Sequence, residues 1–338
     1  MNTISQDRIK QVIHILQKQV RPTPVFSWSQ QINQSIDFLN SSQAKQKVKL
    51  DPYWPKWSST WWHVLSLIEI NKVDCIPPNS LIDLHDSIKT NIIDFFPLLE
   101  AELTPKIDPY RNIMCHCALG TYIQMCFYTN TIDFIPPWIE QWYLQYQIND
   151  GGYNCDDEAY HKSPPKSSLV STLPMLEALL LIVKNPNNIK DPIALEKVLD
   201  NGVHYFLDRN LLGSSSDKNT PIRQDWLELS FPRFYEFDAL RVLKFANQWA
   251  QYKSIKLPVN KIYMVLDHLC TTVESQGYLK AGVHTSLVDK QSYTQQQDES
   301  WKFEPASRFS LLDCIEEQQV SSYFLNLEFL NILSDLQA

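Results

Sequence analysis

Cys115-His116-Cys117 is the densest group of metal-binding atoms in the chain. Thiolate and imidazole both suit zinc, and a zinc site with an open fourth position can activate a thiol or water. Two further donors fit the pattern. His63 occupies the equivalent place in the preceding unit of an internal repeat, and Cys155 lies in the loop that follows. His63, Cys115, Cys117 and Cys155 are therefore read as a zinc site. The competing reading is ordinary burial, because cysteine is often interior without any chemical role.

Two more clusters carry charge. Asp156 and Asp157 sit among Asp150, Glu158 and His161. A buried acid beside like charges has its pKa raised and can serve as a proton donor. The alternative is that these carboxylates cap a helix or lie in a solvated loop. Farther on, Arg233, Tyr235, Asp238 and Arg241 fall within one short stretch. The arginines would hold an anionic substrate such as a diphosphate by bidentate contacts, with Asp238 as a catalytic acid. An internal salt bridge from Asp238 to an arginine explains the same residues. Trp62 and Tyr235, with Trp54, Trp57 and Tyr110, would present aromatic faces to a cationic intermediate, or else simply pack in the core.

The elements that must position these groups read as helices. The chain has 338 residues, 44% hydrophobic and 12% aromatic, enough for one large core. Only 7 glycines argue against a many-stranded sandwich, and the 20 prolines fall mostly between helical patterns. Apolar spacing predicts helices near 4–19, 28–40, 59–71, 79–94, 111–129, 136–147, 167–184, 192–209, 234–252, 258–274, 307–318 and 320–336. The stretches 212–223 and 277–304 read as polar loops. TWWHVLSLIEI, MCHCALGTYIQM, LVSTLPMLEALL and YEFDALRVLKFA superimpose, placing His63, Cys117, Ser171 and Asp238 at one position. Helices apolar on most faces alternate with one-faced helices, which suggests an inner ring wrapped by an outer ring, although an open solenoid would give the same alternation. The expectation is all-α, a single domain over 1–338, built as an α/α toroid of about six helix pairs around a central cavity.

Net charge is −8 with no basic run, which argues against nucleic acid as a partner. No stretch has the length and apolarity of a membrane span, and no signal-peptide core is visible. Seven cysteines without a leader suggest reduced thiols and a cytoplasmic location.

Trp142-Tyr-Leu-Gln-Tyr-Gln147-Ile-Asn-Asp150-Gly151-Gly152-Tyr153 resembles the QW-type repeat of the terpenoid cyclase and protein prenyltransferase superfamily. Residues 51–70, 202–216 and 225–243 are similar to bacterial prenyltransferase- and squalene-cyclase-repeat proteins, so the resemblance covers about 50–245. It implies an α/α toroid acting on, or binding, an isoprenoid or other apolar chain. Cyclases of that superfamily use an Asp-x-Asp-Asp acid, for which this chain has Asn154-Cys155-Asp156-Asp157. Its protein prenyltransferases hold zinc with Asp-x-Cys and a histidine, for which this chain has Cys115-His116-Cys117. Those departures keep a second function open, a non-catalytic toroid that binds an apolar ligand or a protein partner.

Overall fold

Short polar side chains and prolines decide where the helices start. The Ser5, Ser41 and Ser168 hydroxyls and the Asp191 and Asp238 carboxylates each accept a backbone N–H of the first turn. Pro78 and Pro192 occupy first-turn positions, where a missing N–H costs nothing. In the computed structural model the described residues are 4–337 apart from 22–25, 27, 110, 187–188, 283–290, 297 and 299. They form α1 (Gln6–Val20), α2 (Ser29–Asn40), α3 (Ser42–Leu50), α4 (Thr60–Glu69), α5 (Pro78–Asn91), α6 (His116–Tyr128) and α7 (Ile139–Tyr146). Then follow α8 (Glu158–His161), α9 (Leu169–Lys184), α10 (Pro192–Leu207), α11 (Ala239–Lys253), α12 (Val259–Gln276), α13 (Ser310–Ile315) and α14 (Gln318–Gln337). The protein is all-α in class, with one antiparallel hairpin of β1 (Gln291–Gln295) and β2 (Trp301–Pro305).

Two kinds of helix alternate, as the sequence pattern anticipates. α4 buries every residue from Thr60 to Leu67, and α9 buries most of its circumference. α12 instead buries one stripe, Ile262, Val265, Leu266, Leu269, Cys270 and Val273. The mostly buried helices touch in sequence: α4 meets α6, α6 meets α9, α9 meets α11 and α11 meets α14. α13 touches both α14 and α4. On the other side α5 packs on α4, α10 on α9, α12 on α11, and α1 on both α12 and α14.

The closest approach is between α6 and α9. A Cβ added at Gly120 would lie 2.4 Å from the Pro174 carbonyl carbon and oxygen. The Gln124 side-chain amide donates across this crossing to the Pro174 oxygen at 3.1 Å. Only glycine lets the two backbones come this near.

The expected loop at 277–304 is corrected in part, since it contains the hairpin. Its strands alternate polar with polar on Gln291–Gln295, so no apolar period marks them. The hairpin leans on the segment before α4: Tyr293 and Trp301 lie 5.7 and 6.5 Å from the Trp54 ring, and the Ser292 hydroxyl accepts the Lys56 N–H at 2.9 Å. α3 and α8 also lie outside the expected helices. Tyr110 and residues 283–290 fall outside the described residues. Among the described residues no helix is long and apolar enough to cross a membrane.

Candidate functional site

The turn between α7 and α9 shows how the sequence builds one side of the site. Gln147 ends the α7 segment, and its side-chain amide donates to the carbonyls of Gly151 (2.9 Å) and Val198 (2.8 Å), tying the turn to α10. Gly151 has φ +100°, and a Cβ there would meet the Asn201 carbonyl oxygen at 2.4 Å. Asp150 accepts the Ser167 hydroxyl and lies 3.5 Å from the Arg209 guanidinium. The chain then returns along buried Tyr153, whose hydroxyl donates to the Tyr143 carbonyl at 3.1 Å, and delivers Cys155 to the first turn of α6.

There the three thiols meet. The sulfurs of Cys115, Cys117 and Cys155 all lie within 4.8 Å of one another. Cys115 and Cys117 are 3.2 Å apart, and the Cys117 N–H points at the Cys155 sulfur at 3.4 Å. Cys115 is the N-cap of α6 and Cys117 its second residue, so both stand at the positive end of the helix dipole. The Cys155 N–H donates to the Ser171 hydroxyl at 3.1 Å, which anchors that cysteine to α9. All three are partly exposed.

Their proton affinities separate. Cys115 is held well below the usual thiol range, chiefly because the Cys117 and Cys155 thiols donate to its sulfur, with the Ala118 N–H and the charge of Lys56 adding to this. Donating to Cys115 raises Cys117 well above that range and pushes Cys155 up to about 12. Cys115 is thus the most acidic of the three.

His116 lies between the two metal-type cysteines in sequence but not in space. Its Nδ1 donates to the Asn154 carbonyl at 2.7 Å, which fixes the tautomer and presses the Cys155 turn against α6. It is fully buried, and burial lowers it to about 4. Its ring lies among Phe96, Tyr146, Tyr153 and Tyr160.

His63 does not join the cysteines. Its ring stacks between Phe38 (4.3 Å) and Phe309 (3.7 Å), its Nδ1 has no partner, and burial lowers it to about 3. It is a neutral core histidine, and the expected four-residue ligand set becomes three.

The other expected site residues are placed as follows. Asp156 and Asp157 are exposed, and Asp156 accepts the Glu158 N–H at 3.2 Å, so the burial a proton donor needs is absent. Asp238 is fully buried but committed: it accepts the N–H groups of Ser230 (3.0 Å) and Arg241 (2.8 Å) and the Arg233 side chain (3.2 Å). Arg233 also pairs with Glu328 at 2.6 Å, and Arg241 pairs with Glu177 at 2.7 Å. The salt-bridge alternative for Asp238 holds for Arg233, whereas Arg241 takes its acid from α9. Both arginines are thus ion-paired, although the buried Arg233 Nη2 has no hydrogen-bond partner. Trp62 is fully buried, and its indole N–H donates to the Tyr53 carbonyl at 3.1 Å.

A group that spacing did not single out borders the cysteines. The Lys56 ammonium donates to the Tyr235 hydroxyl at 2.9 Å and faces the rings of Tyr235, Trp54, Tyr53 and Trp57 at 4.6, 5.3, 5.6 and 5.8 Å. Trp57 and Phe234 beside it hold φ of 72° and 50°, a left-handed backbone that bulky residues keep only under tight packing. The dense aromatics of 53–62 were the available signal for this cage.

The mostly buried helices also enclose a cavity of about 550 Å³, away from the cysteines. It is lined by the C-terminal halves of α4, α6 and α9 and by α11 and α14. Its walls carry Glu69, Glu177, Lys184, Arg233, Arg241, Lys244 and Glu328 among aliphatic side chains. No family profile matches the chain, and no curated protein or solved structure matches it with significance.

Proposed function

We propose that the helices close as an α/α toroid and that the protein is a zinc-dependent group-transfer enzyme, prenyltransferase-like in chemistry. The observation that carries this is the convergence of three cysteine sulfurs on the first turn of α6. Tetrahedral zinc–thiolate geometry sets sulfurs about 3.8 Å apart, from Zn–S bonds of about 2.3 Å. The cluster, with sulfurs within 4.8 Å, needs only small side-chain rotations to reach it. Among the described residues no fourth His, Asp or Glu joins the three, which leaves a coordination position for substrate. Zinc there would supply Lewis acidity toward a thiol entering that position.

The chain's own groups prepare the site. The α6 dipole and its first-turn N–H groups favour sulfur anions, and Lys56 offsets part of their charge. His116 and Ser171 hold the Cys155 turn in place. An aromatic group around Lys56 borders this centre. An isoprenoid would meet it there and not in the ion-paired cavity.

The test is metal content. The full chain purified from zinc-supplemented cells should carry one zinc, and cobalt replacement should give thiolate-to-metal absorption. Cys115→Ser, Cys117→Ser and Cys155→Ser should each lose both, while His63→Phe keeps them. A chain that neither retains zinc nor takes up cobalt ends this reading. The competing reading, a binding module without catalysis, is favoured by the internal ion pairs of Arg233 and Arg241, the two arginines expected to hold a diphosphate. It requires a metal-free protein.

A further inference from the structure

The cavity at the other end of the helices holds a half-buried acid with no cation against it among the described residues. Three of its four cations are already used, and the fourth, Lys184, is exposed and has no acid in salt-bridge range among the described residues. Arg241 is held by Glu177 and the Glu236 carbonyl, and Arg233 by Asp238 and Glu328. Lys244 is held by Glu328 at 2.7 Å.

Glu69 is different. It takes two hydrogen bonds on a single oxygen, Oε1, from the N–H groups of Arg233 (3.1 Å) and Phe234 (2.8 Å). Its Oε2 takes none among the described residues, and no ammonium or guanidinium lies in salt-bridge range of it there. Glu69 is the last residue of α4 and lines the cavity. Burial raises its proton affinity, the expected response of a carboxylate whose charge is incompletely compensated.

Two further features agree. α4, α6 and α9 all end at this cavity, so their negative dipole ends converge there and favour a positive charge. Between the polar groups the wall is aliphatic, with Leu65, Leu180 and Ile332. A methylene stem fits such a wall where a compact inorganic cation does not.

We infer that this cavity is a second binding site, for an aliphatic ammonium group seated on Glu69 Oε2. The site does not involve the cysteines and stands whether or not they hold metal. The same chemistry is offered by a free polyamine and by the lysine side chain of a peptide. The cavity volume of about 550 Å³ admits a slender chain of either kind.

Calorimetric titration of the full chain with spermidine, and separately with a short lysine-containing peptide capped at both ends, tests this. Binding of either is expected, and which one binds tells free amine from peptide. Glu69→Gln keeps an oxygen for the Arg233 and Phe234 N–H groups, and should weaken binding by about tenfold or more, as loss of one charge-assisted hydrogen bond does. Leu181→Trp, which fills the cavity from a half-buried position, should also abolish binding and decides the matter if Glu69→Gln fails to fold. Absence of binding by both ligands overturns the inference. So does binding that Glu69→Gln leaves unchanged, or a cavity that takes citrate in preference to the amines.

Discussion

The first turn of α6 and the cavity at its far end handle buried polarity in opposite ways. At the cavity, acids and bases alternate: Asp238 with Arg233, Glu328 with Arg233 and Lys244, Glu177 with Arg241. At the first turn, three groups that would all become negative share a space 4.8 Å across, with the Lys56 charge, backbone N–H groups and a helix dipole to answer them. The charged lattice is largely self-paired, with Glu69 and the exposed Lys184 left without an ion-pair partner among the described residues. The cysteine cluster favours an anion at Cys115 and opposes one at Cys117 and Cys155. A region that satisfies itself is architecture, and a region that cannot is where a ligand belongs.

That contrast can be broken by mutation. The largest loss is expected for Arg233→Met, which strands the buried Asp238 and should cost about 3–5 kcal/mol in chemical denaturation. Gly120→Ala forces apart the α6–α9 contact that carries the cysteines, and should cost about 1–3 kcal/mol in the same assay. His63 tests the neutral core beside the cysteine end. Folded, it stays neutral down to about pH 3, whereas the unfolded chain takes up its proton near 6.5. Stability should therefore be constant above that pH and fall as pH drops through the window between. His63→Phe, which keeps the stack on Phe38 and Phe309, should reduce that slope by about 1.4 kcal/mol per pH unit around pH 5. His85, which burial lowers to about 4, retains its own share of the slope. The smallest effect is expected for Cys155→Ser in metal-free protein, below about 1 kcal/mol, as for a partly exposed group with weak hydrogen bonds. Should Cys155→Ser destabilise the metal-free chain as much as Arg233→Met, the cluster is architecture too and the contrast fails.

What was legible in the sequence follows range. The Gln147–Tyr153 turn is marked locally by Asp150-Gly151-Gly152, and the positive φ of Gly151 is what such a sequence allows, whereas its ties to Ser167, Val198 and Arg209 are long-range. Three of the four expected metal ligands converge because Cys115 and Cys117 open α6 and Cys155 lies in the turn between α7 and α8. His63 was misplaced because aligning helices by a shared leucine ignores where each begins. It is the fourth residue of α4, while Cys117 is the second of α6. Two residues turn a helix by about 200° at 3.6 residues per turn, enough to aim a side chain elsewhere. Glu177 and Glu328 pair with arginines 64 and 95 residues away, a separation no local pattern reports. α3 escaped notice because it buries only Ala44 and Val48.

The Gly120–Pro174 contact has a consequence for how long an ion would stay. With α6 and α9 locked backbone to backbone, the helices bearing Cys115, Cys117 and the Ser171 anchor of Cys155 cannot drift apart when the centre is stripped. Under the zinc reading, a chelator would then empty a site that keeps its shape, and reloading would need no refolding. Residence time would be set by how readily single sulfurs swing away, one after another, toward a competing acceptor. Loosening that crossing at Gly120 should shorten the ion's lifetime without touching a single ligand.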